Sequence, residues 1–485
     1  MKKFFTLIIA LIAIDSLMAQ GCLPEGIIFE TQEQIDNFQT DYPGCTEIEG
    51  DVIIDGWYYE ITNLNGLNTL IKIKGNLEII ECIDCSHILL NLSGLNNLVS
   101  IGGNLRISNV DALISLNGLE NLDSIAGNFL LDYNNSINSL FSLENLTFIG
   151  GDLLIQNNSS LINLAGLENL ESVNGLIEIF HNENMTSLYG FEHLDHITSL
   201  IIAYNDRLNY LTLPGNVDSI GDYLLIQSNK SLTNLNGLES ISSIGSYLGI
   251  VDNIALNNLT GLENLTSILG VLEIYFNQSL ISVTGLENLD SIGSDLRIRF
   301  NPNIINLQSL ANLRSIGGTL LIEDNFNLTN LNGLENIDPG TIDSLFITNN
   351  TLLTTCAVKS ICEYLAGSNV FTHIHDNAPN CNSREEVEYA CLVGLENIIQ
   401  ENKLSIYPNP SSNRFTIQFS LEKEEHVKLL VLNNLGQVVA IVTNETLSEG
   451  QHELNWNAEG MPAGVYFYHI QIGNQVGTGK MVLMK

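Results

Sequence analysis

The chain has 485 residues, 45% of them hydrophobic and 15% charged, which excludes an acidic disordered chain. Eighteen Lys+Arg stand against 55 Asp+Glu, a formal net charge of −37, so nucleic acid is excluded as a partner and an anionic membrane surface is disfavoured. The length exceeds one ordinary core and points to several domains or a repeat array.

Residues 1–19 read as a signal peptide: Lys2 and Lys3 precede a short apolar run from Phe4 to Ile14, and Ala19 offers a cleavage point. The run is too short to span a bilayer, and no later stretch has 18 consecutive apolar residues, so no transmembrane segment is expected. Ala19-Gln20-Gly21 is a poor match to the sequence that precedes a lipidated cysteine, so Cys22 is read as a disulfide residue. Export favours disulfides for all eight cysteines. They fall in two groups, Cys22, Cys45, Cys82, Cys85 and Cys356, Cys362, Cys381, Cys391. The favoured pairings are 22–45, 82–85, 356–381 and 362–391, although the C-terminal four alone allow three connectivities.

Residues 20–50 read as an N-terminal cap with a helix near 32–42. Residues 51–355 then show a period. The first residue of a recurring Gly-Leu-Glu-Asn-Leu block falls at Gly66, Gly94, Gly118, Ser142, Gly166, Gly190, Leu213, Gly237, Gly261, Gly285, Ser309 and Gly333. The steps are 28, 24, 24, 24, 24, 23 and then 24 throughout, which makes an array of about twelve 24-residue coils. In phase with it, Leu-x-Ile triplets alternate in polarity as short strands do. An asparagine follows each triplet by three residues: Asn134, Asn158, Asn182, Asn205, Asn229, Asn253, Asn277, Asn301, Asn325 and Asn350. One coil cannot bury its own apolar edge, so neighbours stack, the triplets form a parallel sheet and the asparagines form a structural ladder at one corner.

Residues 356–391 read as a C-terminal disulfide cap with helices near 357–366 and 384–390, and 392–403 as a linker. In residues 404–485 the composition changes, with 5 basic and 7 acidic residues against 11 and 47 in residues 20–403. Period-2 segments divided by turns predict a small antiparallel β-sandwich there.

Candidate chemistry is sparse. Cys82, Cys85 and His87 make half a zinc site at most, and His373 and His375 have only Asp376 nearby. His193 and His196 lie in a variable stretch. On the outer strand face, Glu273 with Arg297 and Arg299 with Glu323 sit one coil apart, where opposite charges form an ion ladder or a catalytic pair. Tyr133, Phe180, His181, Tyr204, Tyr275, Phe276 and Phe300 recur at one or two fixed places in the coil, so they are expected to form a stripe suited to sugar rings or a protein partner. No metal or cofactor is expected.

Leu-x-Ile-x-x-Asn is similar to the second half of the leucine-rich-repeat signature. Ile101-Gly102-Gly103-Asn104-Leu105-Arg106-Ile107, with glycine where that signature has leucine, looks more like the receptor L domain of growth-factor receptor ectodomains and bacterial surface proteins. The resemblance covers residues 22–391 and implies a right-handed, leucine-rich-repeat-like β-solenoid that binds ligands. The tail carries Tyr407-Pro408-Asn409-Pro410, then Asn433-Asn434-Leu435-Gly436, Pro462-Ala463-Gly464-Val465-Tyr466 and a closing Gly479-Lys480. This ordered set resembles the type A sorting domain of the type IX secretion system of Bacteroidota. It implies the type IX machinery as a partner, passage across the outer membrane, removal of the tail, and attachment to surface lipopolysaccharide or release. The expected protein is mainly β, secreted or displayed on the cell surface, and a non-enzymatic, adhesin-like recogniser of protein or glycan. A structural surface-layer role and a carbohydrate-active solenoid enzyme are the alternatives.

Overall fold

A computed structural model describes residues 21–82, 88–368, 370–393, 404–421, 423–433, 437–472 and 475–484. The expected signal peptide, Cys85, His87 and Gly436 lie outside the described residues, as do residues 394–403 of the expected linker. The chain divides into two units, residues 1–245 and 246–485.

The first unit is a stack of coils. Nine parallel strands form its main ladder: Ile27–Phe29, Val52–Gly56, Leu77–Glu81, Leu105–Ser108, Phe129–Asp132, Leu153–Gln156, Leu176–Phe180, Ser199–Ala203 and Tyr223–Gln227. Each residue pairs with its equivalent one coil away, as Leu153 with Ile177 and Ile155 with Ile179. Around one coil, Leu153, Ile155, Asn158, Leu161, Leu164, Leu167, Leu170 and Val173 are all fully buried. After the strand the inward residue therefore recurs every third position, which explains the leucine spacing of the repeat. Each apolar side chain among them contributes roughly 1.5–3 kcal/mol by leaving water, and only a neighbouring coil can cover it.

A second, narrower ladder was not foreseen. A pair before the glycine corner, most often Ser-Ile, forms a two-residue parallel strand, as at Ser100–Ile101, Ser124–Ile125 and Phe148–Ile149. It lapses at Ile197, which makes only an isolated bridge to Ile220. The coil from Gly190 is the one that lacks a residue, and three positions separate Ile197 from Leu200 where four separate Val173 from Ile177.

The glycine that opens each block has a backbone reason. Gly118 and Gly166 have φ of 117° and 114°, and a Cβ there would strike the carbonyl oxygens of Leu92 and Leu140 in the preceding coil. Where serine replaces glycine, at Ser142 and Ser309, the chain takes a 3-10 turn instead, Phe141–Leu143 and Gln308–Leu310.

In the first unit the ladder begins before the repeated blocks. The helix Gln32–Asp41, capped by Thr31 and Gln34, seals the first coils with Ile35 and Phe38. Cys22 bonds Cys45. Cys82 is also disulfide-bonded, but the expected partner Cys85 is not among the described residues.

In the second unit the main ladder has six strands: Tyr247–Val251, Val271–Tyr275, Leu296–Arg299, Thr319–Glu323, Ser344–Thr348 and Phe371–His375. The added residue of the coil from Gly333 sits in the 3-10 turn Pro339–Thr341, just before Ser344–Thr348. The helices Lys359–Leu365 and Arg384–Val393 follow, with disulfides Cys356–Cys381 and Cys362–Cys391.

The tail folds as two antiparallel sheets over one core. Ser405–Tyr407, Arg414–Leu421 and Gly450–Asn457 form one; Val438–Leu447, Glu425–Leu432, Gly464–Ile472 and Gln475–Leu483 form the other. Phe415, Ile417, Leu429, Val431, Trp456, Ile470 and Met481 fill the space between them.

Candidate functional site

The main strand of each coil ends at a corner where two consecutive residues meet different demands. The second is the asparagine of the repeat, fully buried at all ten expected positions. Asn158 is representative. Its Oδ1 accepts from the Asn134 N–H at 3.1 Å, and its Nδ2 donates to the carbonyls of Leu131 at 2.9 Å and Gln156 at 2.8 Å. Asn182 and Asn205 repeat this in the first unit. Asn277, Asn301, Asn325 and Asn350 repeat it in the second. The amide thus meets one donor and two acceptors that the corner would otherwise bury unpaired. The second unit adds Asn377, which accepts from Asn350 at 2.9 Å and donates to Ile347. Its three-residue spacing after Ile374 was a usable signal, obscured because Thr372 replaces the leucine of the triplet.

The residue just before each ladder asparagine has left-handed backbone, as has Asn109, which precedes Val110 at the same place in an earlier coil. In the first unit these are Asn109, Tyr133, Asn157, His181, Tyr204 and Ser228, and in the second Asp252, Phe276, Phe300, Asp324, Asn349 and Asp376, with φ between 53° and 61°. Asparagine and aspartate tolerate this region best; a bulky ring is strained there. Tyr133, His181, Tyr204 and Phe276 are nevertheless exposed, while Phe180, Tyr275 and Phe300 are half-buried.

Within each unit some of the rings touch one another. In the first unit Phe180 meets Tyr204 edge-on at 5.2 Å and lies 6.0 Å from His181. His181 Nδ1 contacts Asn157 Oδ1 at 3.0 Å, and Asn157 separates this group from Tyr133. In the second unit Tyr275 lies 5.6 Å from Phe300 and 5.8 Å from Phe276, and the Arg299 guanidinium sits 5.0 Å above its ring.

Beside the second group lies an ion network, paired otherwise than the strand register suggested. Glu273 is opposite Arg297, and Arg299 opposite Glu323. Yet Arg299 Nη2 reaches diagonally to Glu273 at 2.8 Å, and Arg297 turns back to Asp295, just before its own strand, at 2.5 Å. Long guanidinium side chains reach such diagonal neighbours. Tyr247 lies over Gly249 and donates its hydroxyl to Glu273 at 2.9 Å. Burial, then the Glu273 charge, raises the Tyr247 pKa well above its ordinary value. Burial pushes the Asp295 carboxyl up, but the Thr319 N–H and Arg297 outweigh it and hold it below the ordinary value.

A second asparagine column, which the sequence pattern does not mark, lies within the Gly-Leu-Glu-Asn-Leu block. Asn121, Asn145 and Asn169 each donate Nδ2 to a carbonyl of the preceding coil, at 2.6, 2.6 and 2.8 Å. His193 takes this place in the next coil, its Nδ1 2.5 Å from the Glu168 carbonyl. The glutamate of the block accepts from its glycine N–H, as Glu168 from Gly166 at 2.7 Å and Glu287 from Gly285 at 2.9 Å. Part of the acidity of the body is therefore a repeated backbone cap, made also by Glu120, Glu239, Glu263 and Glu335.

His373 and His375 share a strand face with ring centroids 6.1 Å apart; His373 stacks on Phe346 and His375 pairs with Asp376. Among the described residues no three His, Cys, Asp or Glu converge as metal ligands would.

In the tail, the two ends of the motif set meet. Asn409 donates to the Lys480 carbonyl at 2.7 Å and accepts from the Val482 N–H at 2.8 Å. Tyr407 ends the first strand, and Pro408 and Pro410 flank Asn409. Gly464 opens the strand that carries Tyr466, whose hydroxyl donates to the Pro462 carbonyl at 2.8 Å and whose ring meets Trp456 edge-on.

The molecule is thus a parallel β-solenoid followed by a small antiparallel tail. Residues 405–484 match the secretion system C-terminal sorting domain, so the chain carries a type IX sorting tail, which implies secretion with surface attachment or release. No curated protein matches the chain. Among the described residues no helix is long and apolar enough to cross a membrane.

Proposed function

We propose that this exported chain is an adhesin-like recognition protein of the receptor L, leucine-rich-repeat-like kind, binding protein or glycan through its corner aromatics and without catalysis. The observation that carries this is the placement of Tyr133, His181, Tyr204, Phe276 and Phe300 in left-handed backbone that strains them. Such strain of about 1–3 kcal/mol persists where something other than stability maintains it. Rings held this way on a rigid sheet are ordered before the ligand arrives, which lowers the entropic cost of binding. Glu273 is engaged by both Tyr247 and Arg299, which supports a structural role for that carboxylate over a catalytic one.

The test is a glycan and protein array probed with the wild type, a Phe180→Ala/Tyr204→Ala variant and a Tyr275→Ala/Phe276→Ala variant. Loss of one ring pair should weaken binding of a genuine ligand by about tenfold or more. An array with no ligand, or ligands bound equally by all three proteins, would count against it.

A further inference from the structure

The last strand of the main ladder in the second unit, Phe371–His375, carries two histidines that the proposed function does not use. Its register sets His373 beside Phe346 and His375 beside Thr348, in the columns that hold Leu321 and Glu323 one coil earlier. Ile374 between the histidines is buried, and a strand alternates its faces, so both imidazoles point to the outward side. Both are exposed there.

Each ring is held by a neighbour. His373 stacks on Phe346 with centroids 5.4 Å apart and planes 10° apart. His375 Nδ1 lies 2.7 Å from Asp376 Oδ2. An ionised carboxylate only accepts hydrogen bonds, so Nδ1 carries the proton, and Nε2 of the neutral ring keeps its lone pair. A carboxylate on the far nitrogen is what orients a metal-binding histidine and makes it more basic. The centroids of His373 and His375 are 6.1 Å apart. Metal–nitrogen bonds of about 2.0–2.1 Å require the rings to close by about 1 Å, which two exposed side chains achieve by rotation.

Two imidazoles do not make a closed cage, and among the described residues no group of three His, Cys, Asp or Glu could hold a metal ion. The chelate is therefore open, and water or a donor group from outside the chain fills the remaining positions. Imidazole suits copper, nickel and zinc, whereas calcium and magnesium take oxygen ligands.

We propose that His373 and His375 form a two-histidine chelate for a divalent transition-metal ion of the copper, nickel or zinc class, with Asp376 as the positioning residue for His375. The site uses none of the corner aromatics and stands or falls independently of the proposed function.

Full-length protein is titrated with Cu2+ and with Zn2+ by calorimetry, in excess Ca2+ to occupy the carboxylates of the acidic surface. Saturable binding is expected, tighter for Cu2+ than for Zn2+. His373→Ala and His375→Ala should each weaken Cu2+ binding about tenfold or more with unchanged circular dichroism, because each removes half of the chelate. Asp376 has a φ of 56°, which glycine accepts, so Asp376→Gly should weaken binding about tenfold without backbone strain. Asp376→Asn keeps an accepting oxygen and should bind more tightly than Asp376→Gly. The spin-resonance spectrum of bound Cu2+ should show two imidazole nitrogens in the wild type and one in each histidine variant. Saturable binding that survives the His373→Ala/His375→Ala double variant, binding abolished by Ca2+, or a single nitrogen in the wild-type spectrum would overturn the proposal. Equal affinity of Asp376→Gly and the wild type would overturn the positioning role.

Discussion

Asn157 and Asn158 are neighbours in sequence and identical in chemistry, yet the fold treats them in opposite ways. Asn158 is fully buried, and three backbone groups in two coils bond its amide. Asn157 is half-exposed in left-handed backbone, and its equivalents along the first unit are asparagine, tyrosine, histidine and serine. From Asn134 to Asn350 the inward column does not vary, because each of these coils leaves the same orphan groups at that point; the two coils before them place Cys82 and Val110 there. The outward column varies because only its backbone conformation is fixed. A solenoid thereby separates what holds it together from what it shows to a partner by a single residue step.

The sharpest challenge to this division comes from the backbone approaches between coils. Gly166→Ala adds a Cβ at a φ of 114° against the Leu140 carbonyl, so strain and collision add. A loss of about 3–5 kcal/mol is expected in denaturant titration of the full chain, whereas Ser142→Ala, in a 3-10 turn at the equivalent place, should cost about 1 kcal/mol or less. Equal effects at the two sites would show that the coil opening does not depend on glycine. A smaller effect of opposite sign belongs to the outward column. Tyr133→Asn relieves a ring held at a φ of 54° and should raise stability by about 0.5–1 kcal/mol, read as a higher unfolding midpoint. A clear loss of stability would mean that the tyrosine packs as a structural residue.

Much of the solenoid was legible in sequence because each coil repeats the same physical problem. The Leu-x-Ile alternation marks the main strand, and Asn134 to Asn350 mark its corner, since both solutions recur every 24 residues. Three features stayed hidden. The two-residue strands such as Ser100–Ile101 are too short to alternate. Asn121 and Asn145 were visible inside the block, but an exposed asparagine in a turn carries no sign that it spans coils. The diagonal Arg299–Glu273 pair depends on side-chain reach and not on register. Of the site, the aromatic positions were readable; the ring-to-ring contacts within each unit and the strained φ beneath them were not.

The most direct test of the inward column is a matched pair, Asn158→Ala and Asn157→Ala, followed by denaturation and hydrogen exchange. Asn158→Ala strips one acceptor from the Asn134 N–H and one donor from each of two carbonyls, so a loss of about 3–5 kcal/mol is expected. Exchange should quicken at the Asn134 amide, while Asn157→Ala should change stability by about 1 kcal/mol or less. Similar stability losses in the two variants, or an Asn134 amide that stays protected when Asn158 is gone, would contradict the account.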